Sequence, residues 1–226
     1  MVFGLMFAFT FPLYAFDQQN STAALANWLG PKLQLNEDFF ARLLFALTAF
    51  LLVVAAFIRT WASSYLQASV VYAAEVKSAS LVADGPYRYV RNPLYFANVL
   101  MIIAMGAMMS RIGFFVAVAA MLVFCYRLIF REEAELQASR GQQFAEYRQA
   151  VPRLWPLPWP RIASAGGQAK WSEGFKAESW YWGFAAAIIA FAITLKLRYF
   201  FAILAASLIL FWVSSTRRQN KSDSQA

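Results

Sequence analysis

Apolar residues crowd into six stretches, at about residues 1–16, 39–58, 94–109, 112–130, 182–195 and 199–213, and the polar residues collect between them. A membrane span takes about 20 apolar residues, so 39–58 is the clearest and the others need flanking residues to reach full thickness. The stretch at 1–16 lacks the basic start and the small-residue cleavage signature of a signal peptide, and is expected to be a retained first helix. The pattern predicts an all-α, polytopic transmembrane helical bundle of about six spans with both termini cytoplasmic.

Composition agrees: 61% of the 226 residues are hydrophobic and 14% are charged, too apolar for a soluble globule. Six spans leave Lys32, Arg42, Arg111, Lys196 and Arg198 outside and the other 15 of the 20 basic residues inside, as the positive-inside rule requires. The formal charge of +8 is thus topological, and no basic stripe with interleaved aromatics points to nucleic acid. There is no histidine and only one cysteine, Cys125, which removes zinc sites, disulfide frameworks and imidazole acid-base chemistry. Cys125 sits inside an apolar run and reads as a packing residue.

The chain divides into N-terminal helices with an interfacial segment (1–83), a central core (84–160), a cytoplasmic linker (161–181), a C-terminal transmembrane hairpin (182–215) and a polar tail expected to be disordered (216–226). Ala62–Ala74 reads as an interfacial or a short re-entrant helix, and periodicity does not decide between them. The alternating rings and prolines of Trp155–Pro160 suit an extended strip at the headgroup level.

Two polar clusters stand at the inside ends of the third and fourth apolar stretches. The first is GPYRYVRNPLY, Gly85–Tyr95, and the second begins at Arg131 with REEAEL. Only Ser110 and Arg111 break the apolar run between them, so the two stretches form a tight antiparallel hairpin that brings both clusters to one face. Asp84-Gly85-Pro86 signals a turn, and Pro93 suits the first turn of a helix while forcing Asn92 out of helical geometry. Arg91 and Asn92 then lie just before a helix N-terminus, where anions are favoured. Arg88 and Arg91 also suit plain anchors for lipid phosphates. Glu132 and Glu133 need cationic partners, for which Arg127 and Arg131 are local candidates. Gly141 is expected to cap the preceding helix, and Phe144, Tyr147 and Val151 fall at helical spacing beyond it.

Taken together the clusters resemble the isoprenylcysteine carboxyl methyltransferase and phospholipid methyltransferase family of membrane enzymes. That family's pattern is G-x-Y-x-x-x-R-H-P-x-Y, a helical hairpin, E-E-x-x-L, a glycine and Y-x-x-x-V-P-R. Gly85, Tyr87, Arg91, Pro93 and Tyr95 match its first half, and Glu132, Glu133, Leu136, Gly141, Tyr147, Val151, Pro152 and Arg153 its second. Asn92 stands where the family has histidine, so proton transfer at that position is excluded while ligand positioning is not.

The resemblance implies S-adenosyl-L-methionine as cofactor, with Tyr87, Asn92, Pro93, Tyr95, Glu132, Glu133 and Tyr147 around it. It also implies catalytic roles for Arg91, Glu132 and Glu133, with Arg91 holding an anionic acceptor. The acceptor would be a lipophilic small molecule or lipid-linked group reached among membrane lipids at the cytoplasmic face. A carboxylate of the isoprenylcysteine kind is favoured over a phospholipid amine, since it needs no general base. Two other readings compete. Steroid and sterol reductases that use NADPH share part of the first motif, but Leu94 and the absence of an acid after Tyr95 depart from them. A non-enzymatic lipid-binding protein would use the clusters only as anchors.

Overall fold

The computed structural model describes residues 9–34, 36–75 and 83–223. Seven α-helices carry the described fold: α1 Ser21–Leu33, α2 Glu37–Glu75, α3 Pro93–Met105, α4 Arg111–Ala150, α5 Trp171–Ala177, α6 Ser179–Thr194 and α7 Leu197–Asp223. The described residues form no sheet beyond one isolated bridge between Asn20 and Ser110.

The 39 residues of α2 contain neither proline nor glycine, so nothing interrupts the helix. At 1.5 Å per residue it is about 58 Å long, roughly twice the hydrocarbon thickness of a bilayer. Its apolar first half is the expected 39–58 span. Ala62–Ala74 continues the same helix and is not a separate interfacial or re-entrant element. α2 and α4 are long and apolar enough to cross a membrane. Pro93–Met108, Ser179–Thr194 and Leu197–Leu210 are apolar but shorter than a full span.

The start of the chain departs from expectation. Residues 1–8 lie outside the described ones, and Phe11–Ala15 forms a 3-10 turn where a first helix was expected. A helix then follows where none was expected, at α1. Asn20 caps it, its side chain accepting from the amides of Thr22 and Ala23, and Gly30-Pro31 near its end masks the signal in the sequence. At the other end, α7 extends to Asp223, through most of the polar segment assigned to a tail.

The α3–α4 hairpin forms as expected. Ser110 caps α4 by accepting from the Gly113 amide, and the Phe114 ring fills the place a side chain at Gly106 would take. The hairpin's turn is tied to the chain start: Thr22 donates to the Ala107 carbonyl at 2.7 Å, Tyr14 to the Met108 carbonyl at 3.0 Å, and Arg111 pairs with Asp17 at 2.9 Å. The Arg111 guanidinium, with the amides of Ile112 and Gln19, holds the Asp17 carboxyl down to about 2.

Small residues on three helices allow close approach in the core: Ala55 and Ala56 on α2, Ala97 on α3, and Ala185 and Ala187 on α6. Leu52, Met101, Ile102, Met121, Ile129 and Ile188 fill the space between them. Cys125 is fully buried among these residues, in the packing role expected of it. Outside, Leu47, Phe50, Phe115, Val123, Ile193 and Phe201 stand exposed, an apolar surface of the kind found against lipid.

Candidate active site

The loop before α3 begins with a backbone device. Gly85 has φ +58, and a Cβ there would lie 2.3 Å from the Tyr65 ring, so both the turn and the close approach of α2 require glycine. A 3-10 turn over Gly85–Arg88 follows, and Asn92 leads into α3 at Pro93 as the sequence indicates. A second segment, just beyond α4, holds this loop in place. The Arg91 amide donates to the Pro152 carbonyl at 2.9 Å, and the Arg161 amide to the Arg88 carbonyl at 2.8 Å. Tyr147 donates through its hydroxyl to the Tyr87 carbonyl at 2.8 Å. The Y-x-x-x-V-P-R ending therefore acts as the clamp on the first motif.

Asp84 extends the clamp. Its carboxylate accepts from the Ser164 hydroxyl at 2.6 Å and from the amides of Ala165 and Gly167 at 2.9 and 2.8 Å. Burial alone would raise the Asp84 carboxyl, but these three donors outweigh it and hold it below the ordinary carboxylate value.

The hairpin brings the glutamate pair to this loop, and the two acids part company there. Glu133 is buried between two guanidinium groups, Arg91 at 3.2 Å and Arg153 at 3.0 Å, and accepts from the Asn92 amide at 3.4 Å. Asn92 also donates to the Arg153 carbonyl at 2.9 Å, so the residue in the histidine position ties the loop to the clamp. Neither Arg127 nor Arg131 pairs with Glu133; Arg131 pairs with Glu135. Glu132 is exposed and accepts a short hydrogen bond from the Tyr95 hydroxyl. Successive helical residues point about 100° apart, which puts one acid into the protein and the other toward open space.

That space is a cavity of about 400 Å³, within the range of small-ligand sites, lined among others by Tyr87, Arg91, Tyr95, Glu132, Arg140 and Tyr147. Asn92 and Pro93 also border it. The structure thus brings together the residues that the resemblance places around the cofactor, with Arg91 among them and Glu133 standing behind it. Burial lowers the Arg91 guanidinium from its ordinary value, against the pull of Glu133, and its Nε is buried without a hydrogen-bond partner among the described residues. Burial raises the phenols of Tyr87 and Tyr147 well above theirs, so both are protonated donors at neutral pH.

Three polar lining residues were not singled out by the motifs: Arg59, Asn98 and Arg140. Arg59 on α2 pairs with Glu178 at 2.6 Å, donates to Asn98 at 2.6 Å and lies over the Tyr181 ring at 4.2 Å. Ser63 also donates to Glu178, so the junction of α5 and α6 is fastened beside the cavity. The signal was available, since a polar residue within an apolar helix is a functional candidate by default. A larger cavity of about 480 Å³ opens at the far end of the hairpin around Trp28, Leu47 and Phe114. Its lining is apolar, and its one charge, Arg111, is neutralised by Asp17.

Two curated relatives are metal-resistance proteins by name. The cobalt-zinc-cadmium resistance protein CzcN of Cupriavidus metallidurans is 30% identical over 114 residues, 50% of this chain and 48% of that protein. The nickel-cobalt-cadmium resistance protein NccN of Alcaligenes xylosoxydans xylosoxydans is 30% identical over 98 residues, 43% of each. The chain spans about half the length of these relatives. No solved structure matches it. A family model, that of phospholipid methyltransferase, matches residues 43–143, which hold α2 from its seventh residue onward, the loop motif, the hairpin and the glutamate pair. Residues 43–143 thus match the phospholipid methyltransferase family, the membrane enzymes that the two motifs resemble.

Proposed function

We propose that the protein is an integral membrane methyltransferase that uses S-adenosyl-L-methionine to methylate a lipophilic acceptor at the face carrying its basic loops. The observation that carries this reading is the 400 Å³ cavity in which the loop motif and Glu132 converge, inside the family segment. Its donor set fits the cofactor. An exposed carboxylate at Glu132 suits the methionyl ammonium, and Arg91 Nε, without a partner among the described residues, is left as a buried donor for an anionic oxygen of the acceptor.

When bound, the cofactor would supply an electrophilic methyl group on a sulfonium, whose sulfur would keep the carbon–sulfur electron pair as the methyl passes to the acceptor. The chain's own part is alignment and exclusion of water. Tyr95 fixes the Glu132 carboxylate by its hydroxyl, and Tyr147 fixes the loop at Tyr87. Glu133, with Arg153 and Asn92, holds Arg91 at the cavity wall, where it can orient an acceptor carboxylate. A carboxylate acceptor is favoured over an amine because it arrives without a proton to lose, and the phenols of Tyr87 and Tyr147 are poor bases.

The names of CzcN and NccN suggest a setting of metal stress for such a reaction. Among the described residues no group of three or more His, Cys, Asp or Glu side chains could hold a metal ion, so the contribution would come through a modified membrane component. The test is binding of S-adenosylhomocysteine to purified protein in detergent. Micromolar binding that Glu132→Gln weakens supports the reading, and absence of binding by the native chain refutes it.

A further inference from the structure

Three arginines line the cavity, and two of them are already neutralised: Arg59 by Glu178 at 2.6 Å and Arg91 by Glu133 at 3.2 Å. Arg140 forms no ion pair among the described residues. The acids nearest to it in sequence are engaged elsewhere, Glu135 with Arg131 at 3.0 Å and Glu146 with the Gln142 amide at 3.1 Å.

Glu132, Leu136 and Arg140 all line the cavity, at positions i, i+4 and i+8 of α4, so they form one stripe with an acid at one end and a base at the other. Eight residues separate the two ends by about 12 Å along the axis. Side chains on a helix lean toward its N-terminus, so the long stem of Arg140 reaches back over Leu136 toward the end where Glu132 stands. The helix breaks directly after Arg140, at Gly141 with φ +51, so Arg140 belongs to a helix C-terminus, where a cation is favoured.

We infer that Arg140 binds the α-carboxylate of the cofactor's methionyl end while Glu132 takes its α-ammonium, the stripe reading a zwitterion by its two charges. This rests on the cofactor reading above and adds to it a binding residue outside the family pattern. Arg140 then distinguishes the complete amino acid end from analogues lacking the carboxylate, while Leu136 between the two charges keeps water from screening them.

The test compares binding of S-adenosylmethionine and of its decarboxylated form to purified native protein and to Arg140→Gln. The native chain is expected to prefer the carboxylated ligand by about tenfold or more, the range of a charge-assisted hydrogen bond. In Arg140→Gln that preference collapses to near unity, the decarboxylated ligand binds as before, and the melting temperature is unchanged. Arg140→Lys restores part of the preference. If Arg140→Gln keeps the native preference, or loses affinity for both ligands alike, the assignment of Arg140 is overturned while the cofactor reading stands. If the native protein binds neither ligand, both fall together.

Discussion

Glu132 and Glu133 are adjacent in sequence, and the structure gives them opposite work, so exchanging each for glutamine separates stability from binding. Glu133 has a side chain 8% exposed and meets Arg91, 7% exposed, and Arg153, 35% exposed. Glutamine keeps the shape and one acceptor oxygen but leaves two guanidinium groups facing each other without a counter-charge. Removing one partner of a buried pair costs about 3–5 kcal/mol, and the partial exposure of Arg153 together with the retained acceptor brings this to about 2–3 kcal/mol. For a chain of this length 1 kcal/mol moves the melting temperature by about 2–4 °C, so Glu133→Gln should melt about 4–12 °C lower. Glu132 is exposed and loses only one phenolic hydrogen bond, so Glu132→Gln should cost about 1 kcal/mol or less while weakening S-adenosylhomocysteine. The assay is thermal unfolding in one detergent at one scan rate, with and without S-adenosylhomocysteine. Native melting of Glu133→Gln, or an equal fall for both variants, would refute this division of labour.

Further substitutions probe the surroundings of the cavity. Glu178→Gln strands Arg59, whose side chain is 14% exposed, and should lower the melting temperature by an amount similar to Glu133→Gln, read in the same scan. Gly85→Ala must place a side chain at φ +58 against the Tyr65 ring, and should reduce both folded yield and S-adenosylhomocysteine binding. Tyr95→Phe removes the hydrogen bond to Glu132 and should weaken S-adenosylhomocysteine about two- to tenfold, measured by titration, without a change in melting. The lowered Asp84 carboxyl stabilises the clamp above its ordinary value of 3.8, and this contribution is lost only as pH falls through the lower folded value. Proteolytic cutting within 160–170 should therefore be flat from pH 8 to pH 5, whereas Asp84→Asn should be cut faster across that whole range.

What the sequence made legible was local or periodic. Pro93 at the start of α3, the break at Gly141 and the hairpin turn at Ser110 each follow from the backbone preferences of a few residues, and the structure has all three. The convergence of the two motifs followed from that hairpin. Three features were hidden for physical reasons. α1 contains Gly30-Pro31, so its helix signal is weak and its Asn20 cap is visible only once the fold ties it to the hairpin turn. Neighbouring Glu132 and Glu133 share one motif, and which of them faces the cavity depends on the rotation of α4 against the clamp. The Arg59–Glu178 pair joins residues 119 apart, and no spacing rule reaches that far. Arg140 was hidden differently: in a chain whose basic residues are expected to set topology, one more arginine looks like an anchor until the other two arginines of the cavity are seen to be ion-paired.

The Glu178 contact also gives the C-terminal helices a place in the site. α6 and α7 turn back on each other through Leu195 in the left-handed conformation and lie outside the matched family segment, and the start of α6 reaches the cavity wall where Glu178 and Tyr181 meet Arg59. This contact fixes the middle of α2 against α3, where Asn98 receives the same guanidinium.

Methyl transfer itself is the central claim, and it is tested most directly by incubating membranes containing the protein with methyl-deuterated S-adenosylmethionine and following lipids and lipophilic small molecules by mass spectrometry. The account predicts a three-deuteron methyl label in a lipophilic product, formed with the native chain and lost with Glu132→Gln. Absence of label from every membrane fraction, under conditions where the native protein is folded and S-adenosylmethionine is in excess, would contradict it.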